Sequence, residues 1–223
     1  MTKNSLPALH ISVPKIIEFL FDALYLVVIA VLGIYILIGP TTAVGTIWGV
    51  MALILMIGDA FHLLPRMAAA LSRKKERYLS AQGIGKLSTS ITMTLFYLLL
   101  WHCGLLVFSL RLPLGTALMY ALTIIRILLC LSPRNGWTQL RPSYKWAIFR
   151  NIPFLLQGII VLWLYARYGT IAPALDLMWL AIALSFLFYL PVVLFAGRHP
   201  KLGMLMLPKS CTYVWIVVMG TVL

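Results

Sequence analysis

The chain has 223 residues, of which 62% are hydrophobic and 10% are charged, and its mean hydropathy is +1.00. A soluble domain has roughly 45–50% apolar residues, so this composition excludes an ordinary soluble protein and predicts an all-α, polytopic integral membrane protein. The net charge is +13, and we interpret the basic residues as loop residues that set the orientation in the membrane and contact anionic lipid. Nucleic acid is therefore not expected as a partner.

Seven apolar runs are long enough to cross a membrane, because a spanning helix needs about 20 mostly apolar residues. The predicted spans cover residues 16–38, 43–64, 87–108, 114–132, 147–166, 174–196 and 203–222. The first run carries Glu18 and Asp22, which favours a retained helix over a signal peptide. We therefore predict that residues 1–223 form a single seven-helix transmembrane domain.

Lysine and arginine concentrate in alternate loops. Fifteen of the 18 basic residues lie on the side of the N-terminus, two lie on the other side, and Arg126 lies within the fourth span. Because cytoplasmic loops carry an excess of basic residues, we predict a cytoplasmic N-terminus and an external C-terminus. The predicted location is multi-pass in the cell membrane, that is, a bacterial inner or plasma membrane.

Polar residues collect near the predicted cytoplasmic ends of the spans. Glu18 and Asp22 are one turn apart in span one, and Asp59 and His62 share one face near the end of span two. Ionisable residues in a membrane usually face the bundle interior or a wet cavity, and they pair with one another. We therefore predict one polar cavity open to the cytoplasm. Asp59 and His62 should point into the bundle, with Glu18, Asp22 or Arg126 in contact.

Structural interpretations of the same residues stand beside this one. Basic residues at span ends, such as Arg66 and Lys86, often extend their charges to the interface without further function. An ion pair such as Arg126 with Asp59 would be structural. His62 and His199 lie near the cytoplasmic side, but His102 lies too far toward the outer end of span three to share a zinc ion with them, and no HxxxH or HExxH motif occurs, so we predict no metal and no cofactor. The three cysteines are interpreted as packing residues.

Three segments of the chain resemble the YhhN-type lysoplasmalogenases. They read LMIGDAFHLLPR, GIGKLSTSITMTLFYLLLW and AGRHPKLGMLMLPKSCTY. The shared features are Gly-Asp near a span end, Leu-Leu-Pro-Arg after it, a helix opening with Gly, and a Tyr early in the last helix. The resemblance implies hydrolysis of the vinyl-ether bond of a lysoplasmalogen at a cytoplasm-facing site. The family typically has eight spans and a His-x-x-Tyr feature, which this chain lacks, so a sister family with another ligand is the alternative.

Vinyl-ether cleavage needs a general acid that is protonated near neutral pH and a nearby anion that stabilises the cation formed. Asp59 is the candidate acid, Glu18 or Asp22 the second carboxylate, and His62 the group that orients water or moves the proton. The candidates for substrate binding lie near the depth of the lipid phosphate: Arg66, Lys86, Ser90, Arg126, Arg150, Asn151, Lys209 and Tyr213. The expected partners are a membrane lipid and a lysolipid or similar amphiphile.

Two other classes of function stay open from the sequence. A protein that binds a lipid or small molecule without chemistry would use the same cavity. A proton-coupled transporter would also use buried carboxylates, but the outer halves of the spans carry few polar side chains and no internal repeat is evident. The sequence predicts no oligomeric state.

Overall fold

A computed structural model describes residues 13–39, 42–72, 74–140 and 142–223, and all regular structure within them is helical. The long helices are α1 (Val13–Ile38), α2 (Ala43–Leu71), α3 (Leu79–Val107), α4 (Pro113–Leu131), α5 (Tyr144–Tyr168), α6 (Met178–Phe195) and α7 (Met206–Met219). Each coincides with a segment long and apolar enough to span a membrane, which confirms the seven-helix membrane architecture. Lys3, Arg73 and Arg141, three of the basic residues counted for orientation, lie outside the described residues.

Several helix ends differ from the predicted spans. Helix α2 continues past residue 64 through Pro65 to Leu71, and α3 begins at Leu79 rather than at residue 87. The predicted boundaries were set where the apolar run meets its first charged residues. A helix can continue beyond the apolar layer, because its backbone hydrogen bonds are internal. Helices α6 and α7 are instead shorter than the predicted spans. The ends of those spans form 3₁₀ turns at Pro173–Leu175, Pro200–Leu205 and Gly220–Val222.

The seven helices pack as a closed ring in chain order. Each helix contacts the next, α1 also contacts α7, and α3 contacts α5 across the ring. The most extensive contact joins α2 and α3. There, Gly58 lies against the side chain of Thr92, and Gly85 lies against the backbone of Phe61 and His62. Small residues allow such close approach of membrane helices, so the α2–α3 pair is a firm support for the polar residues beside it.

Aromatic side chains fill the middle of the ring. The Phe154 ring packs against Phe186 and, edge-on, against Tyr97, with centroids 5.1 and 5.2 Å apart. The Tyr97 and Ser185 hydroxyls are hydrogen-bonded at 2.9 Å, so these polar groups are satisfied within the apolar core. Two of the cysteines, Cys103 and Cys130, are buried as expected for packing residues. Cys211 is exposed, which corrects that interpretation for the third, because α7 turns this position outward.

Candidate functional site

One cavity draws its lining from six helices at the end of the bundle where α1 begins. This basic cavity has a volume of about 140 Å³ and is lined by His62, Lys86, Thr89, Ser90, Met93, Arg126, Trp137, Arg150, Phe154, Tyr189, Met206 and Lys209. Apart from Trp137, which follows α4, these residues come from the late parts of α2, α4 and α6 and the early parts of α3, α5 and α7. Successive helices are therefore antiparallel, and all bring their basic residues to one level, here termed the basic end.

The cavity lining is strongly positive. Four cations, those of Lys86, Arg126, Arg150 and Lys209, line it, while none of the five acidic residues of the chain is among its described lining residues. Within the described part of the chain, ion pairs shorter than 4.0 Å occur only at Arg66, which lies outside this lining. Like charges gathered in a concave, partly apolar site create a field that attracts anions.

Arg126 is the most deeply placed of the four cations. Its side chain is 2% exposed, and its guanidinium carbon lies 3.5 Å from the centroid of the Phe154 ring. Its Nε and Nη1 atoms are buried and have no hydrogen-bond partner among the described residues. The contact with the ring contributes about 1–2 kcal/mol at a desolvated site, but it leaves those two N–H donors unsatisfied. Arg126 therefore contributes to the cavity lining a charge whose Nε and Nη1 donors have no partner within the described residues.

Arg150 is held at the cavity wall by the turn after α4. One of its Nη atoms donates to Asn135 Oδ1 at 2.8 Å, and its guanidinium carbon lies 4.1 Å from the Trp137 ring centroid. The Asn135 amide donates to the carbonyl of Leu129 at 2.7 Å, at the end of α4. These bonds satisfy helix-end carbonyls and fix Arg150 in position, while its other N–H groups stay available.

The remaining polar lining comes from α7, α3 and α2. Lys209 is 6% exposed, and its Nζ lies 4.6 Å from the centroid of the Tyr213 ring. Lys86 is exposed and therefore lies at the mouth of the cavity. His62 Nδ1 is buried without a hydrogen-bond partner among the described residues. The Ser90 hydroxyl donates to the Lys86 carbonyl at 2.8 Å, so its proton is already used within α3.

The carboxylates of α1 and α2 form a separate cluster with their own partners. Arg66 donates to Asp22 Oδ2 at 2.6 Å and lies 3.3 Å from Glu18 Oε1. The Tyr25 hydroxyl donates to Asp59 Oδ2 at 2.7 Å. We term Glu18, Asp22 and Asp59 the acidic cluster. Asp22 and Asp59 are buried between α1 and α2, whereas Glu18 lies at a surface groove beside Arg66.

The structure thus divides the residues that the sequence predicted to share one cavity. It brings together His62, Lys86, Ser90, Arg126, Arg150 and Lys209. It places Arg66 with the acids, and the ion pair of Arg126 with Asp59 does not occur within 4.0 Å in the described chain. Tyr213 lies under Lys209, and Asn151 accepts a bond of 2.7 Å from the hydroxyl of Tyr189, so both support lining residues from behind.

Six lining or supporting residues were not anticipated from the sequence: Asn135, Trp137, Phe154, Tyr189, Met93 and Met206. The pair Asn135-Gly136 offered one signal, because Asn followed by Gly is typical of a tight turn, and Gly136 here adopts a positive φ of 62°. The aromatic residues carried no signal, since single aromatic residues are common in every span of this chain.

The arrangement offers an anion charged hydrogen bonds from the guanidinium groups of Arg126 and Arg150 and from the ammonium groups of Lys86 and Lys209, and the His62 imidazole lies in the same lining. Searches of protein-family models, curated proteins and solved structures found no match to the chain.

Proposed function

We propose that this membrane protein binds a lysolipid-sized amphiphile through its anionic head group, which occupies the basic cavity. The observation that carries the proposal is the buried Arg126, whose Nε and Nη1 have no partner in the described chain while three further cations line the same space. A buried charge without a counter-ion costs several kcal/mol, and a bound anion would offset that cost. The guanidinium group matches phosphate and carboxylate oxygens in geometry, and phosphate is the anionic group of a lysophospholipid.

The position of the cavity supports an amphiphile as the source of that phosphate. Its lining residues come from the basic-end halves and middles of six helices that are long and apolar enough to span a membrane, so a head group would reach them from the membrane surface at that end. With the basic end at the cytoplasm, as the excess of Lys and Arg at this end favours, the ligand would enter from the inner leaflet of the cell membrane.

The test is binding by the purified chain in a neutral maltoside detergent. Lysophosphatidylglycerol should bind, and a monoacylglycerol with the same acyl chain should not. Arg126→Gln should weaken lysophosphatidylglycerol binding about tenfold or more, since a charged hydrogen bond contributes about 1.5–3 kcal/mol. Lys145→Gln is the matched control, because Lys145 is an exposed cation on α5 outside the cavity lining. Equal binding of both lipids, unaffected by Arg126→Gln, would overturn the proposal.

Hydrolysis of a vinyl-ether lysolipid is a second proposal, and its specific support is His62. This imidazole lines the basic cavity and has a buried Nδ1 without a partner among the described residues. Under this proposal, a proton from Asp59, which lies three residues earlier on α2 and outside the cavity lining, passes through His62 to the β-carbon of the vinyl ether. Water then adds to the cationic carbon and returns a proton to His62, and the resulting hemiacetal breaks its C–O bond to release the aldehyde and the glycerol hydroxyl. The hydrogen bond from Tyr25 would hold the Asp59 carboxyl in place for that transfer.

Aldehyde release from lysoplasmenylcholine, from lysoplasmenylethanolamine or from the 1-alkenyl glycerol phosphate that lacks their amine measures this activity. Asp59→Asn should lower turnover about 10²–10⁴-fold and leave binding nearly unchanged, because a general acid acts in the transition state. Lys86→Ala and Lys209→Ala should instead weaken binding and leave the chemical step nearly unchanged. If folded protein releases no aldehyde between about pH 5 and pH 8, hydrolysis is wrong and the binding function stands alone.

A further inference from the structure

The aromatic rings that line the basic cavity are already covered by the cations of the protein itself. The distances from the cationic atom to the ring centroid are 3.5 Å for Arg126 on Phe154, 4.1 Å for Arg150 on Trp137 and 5.3 Å for Lys209 on Tyr189. Choline and similar ammonium groups are recognised by free aromatic faces or by carboxylates. The described lining has no carboxylate, and each of these three rings already has a cation over it. An ammonium group that entered would meet like charges.

We propose that the basic cavity selects a phosphate monoester of an amphiphile over a zwitterionic phosphodiester head group such as phosphocholine. This inference rests on the proposed binding function and narrows its ligand class. A phosphate monoester carries a charge of about −1.5 to −2 at pH 7. Phosphocholine carries one negative and one positive charge, so it gains less from four cations and adds a repulsion.

The donors of the cavity also match the oxygens of a monoester. A monoester presents three terminal oxygens, and a diester presents two. Arg126 offers two unpartnered N–H groups, Arg150 has N–H groups beyond the one bonded to Asn135, and Lys209 has no ion pair within the described chain. Three separate cationic groups can therefore each donate a charged hydrogen bond to the three terminal oxygens of a monoester.

The size and the apolar part of the cavity fit a head group with the start of an alkyl chain. Its volume of about 140 Å³ is small beside the roughly 300–1,000 Å³ of sites that enclose a drug-sized ligand. A single phosphate group needs less room than phosphocholine. Met93 and Met206 supply apolar lining next to the cations, and the flexible thioether side chain adapts well to an alkyl chain.

The experiment compares dodecyl phosphate with dodecylphosphocholine, which have the same alkyl chain and differ in the head group. Both are titrated against the full chain, purified in a neutral maltoside detergent, with binding followed calorimetrically. We expect dodecyl phosphate to bind about tenfold tighter or more, the factor that one further charged hydrogen bond supplies. Arg126→Gln should reduce that ratio, as should Arg150→Gln if the Arg126 variant does not fold, and Lys145→Gln should leave it unchanged.

Each outcome bears on the selectivity. Equal affinities for the two amphiphiles would overturn it and leave the binding function, which lysophosphatidylglycerol tests independently. Failure of all three amphiphiles to bind would overturn both. Inorganic phosphate is the third arm, and if it competes with dodecyl phosphate at equal concentration, the site serves free phosphate and the amphiphile is wrong. Under the proposal, the aldehyde-release assay should favour a vinyl-ether lysolipid with a phosphate monoester over its choline counterpart.

Discussion

At the scale of single residues, Arg126 connects ligand binding with a cost in stability. Its guanidinium is buried, and two of its nitrogen atoms have no partner among the described residues. Replacing buried ion pairs with apolar side chains of similar volume is often neutral or stabilises a protein by about 1–4 kcal/mol, and Arg126 has no ion pair within the described residues to lose. Arg126→Met should therefore raise the free energy of unfolding of ligand-free protein by an amount in that range, while it weakens binding of an anionic amphiphile.

Unfolding of delipidated protein in neutral detergent measures the effect of Arg126→Met. The control is Arg150→Met, because Arg150 bonds Asn135 and its loss leaves a buried amide oxygen without its donor. That variant should be less stable than the parent chain, since an unsatisfied buried acceptor costs about 1–3 kcal/mol. A loss of stability with Arg126→Met would contradict the interpretation of this residue as a ligand group.

Arg66 should behave in the opposite way to Arg126. It pairs with Asp22, which is 3% exposed, and with Glu18 at the surface. Arg66→Gln leaves the buried Asp22 carboxylate without its counter-ion and should lower the free energy of unfolding by about 1–3 kcal/mol. This value is below that for a fully buried pair, because Arg66 is partly exposed to solvent. Affinity for an anionic amphiphile should be unchanged.

The double variant Arg66→Gln with Asp22→Asn tests the cause of that loss. It removes both charges of the closest pair and should recover part of the stability, because the remaining side chains are neutral. If Arg66→Gln instead weakens ligand binding and leaves stability intact, Arg66 belongs to the binding site, as the sequence had predicted.

At the scale of helices, the close α2–α3 contact positions His62 in the basic cavity. A methyl group added at Gly85 would overlap the backbone of Phe61 and His62, and backbone atoms cannot move aside as a flexible side chain can. Gly85→Ala should therefore push α3 from α2, lower the unfolding midpoint by an amount equivalent to about 1–3 kcal/mol, and weaken amphiphile binding. Gly203→Ala is the matched control, since a Cβ there meets no atom within 4 Å.

The two variants are compared by thermal unfolding and by lysophosphatidylglycerol binding in the same detergent. Gly203→Ala should behave as the parent chain in both measurements. If Gly85→Ala does so as well, the α2–α3 contact is looser than the structure indicates.

The helices and their polar depth could be predicted from the sequence, whereas the faces on which polar residues lie could not. Runs of about 20 apolar residues identify spans, and loop charges set the level of each polar side chain. Asp59 and His62 are three residues apart, about 60° round a helix, and that angle sends one to Tyr25 on α1 and the other to the cavity. Only packing against neighbouring helices decides such a rotation, as it also decides that Phe154 lies under Arg126.

At the scale of the whole molecule, charges are unevenly distributed in two directions, along the membrane normal and across the basic end. Along the membrane normal, 13 of the 15 basic residues in the described part of the chain lie at the basic end, and Arg111 and Arg167 lie at the other end. Within that end, the acidic cluster lies between α1 and α2, and four cations that have no ion pair within 4.0 Å among the described residues line the basic cavity formed by α2 to α7. The first asymmetry determines orientation, and the second makes the cavity a site for anions rather than for cations.

The orientation itself is the last prediction. Basic loops are retained in the cytoplasm during insertion, so the basic end should face the cytoplasm and, with seven spans, the C-terminus should be external. Alkaline phosphatase fused after Leu223 should be active, and the same enzyme inserted after Lys74 should be inactive. A fluorescent protein, which matures in the cytoplasm, should give the reverse pattern at the two positions. A cytoplasmic C-terminus would place the basic cavity at the outer face of the membrane, and the ligand would then have to come from the outer leaflet.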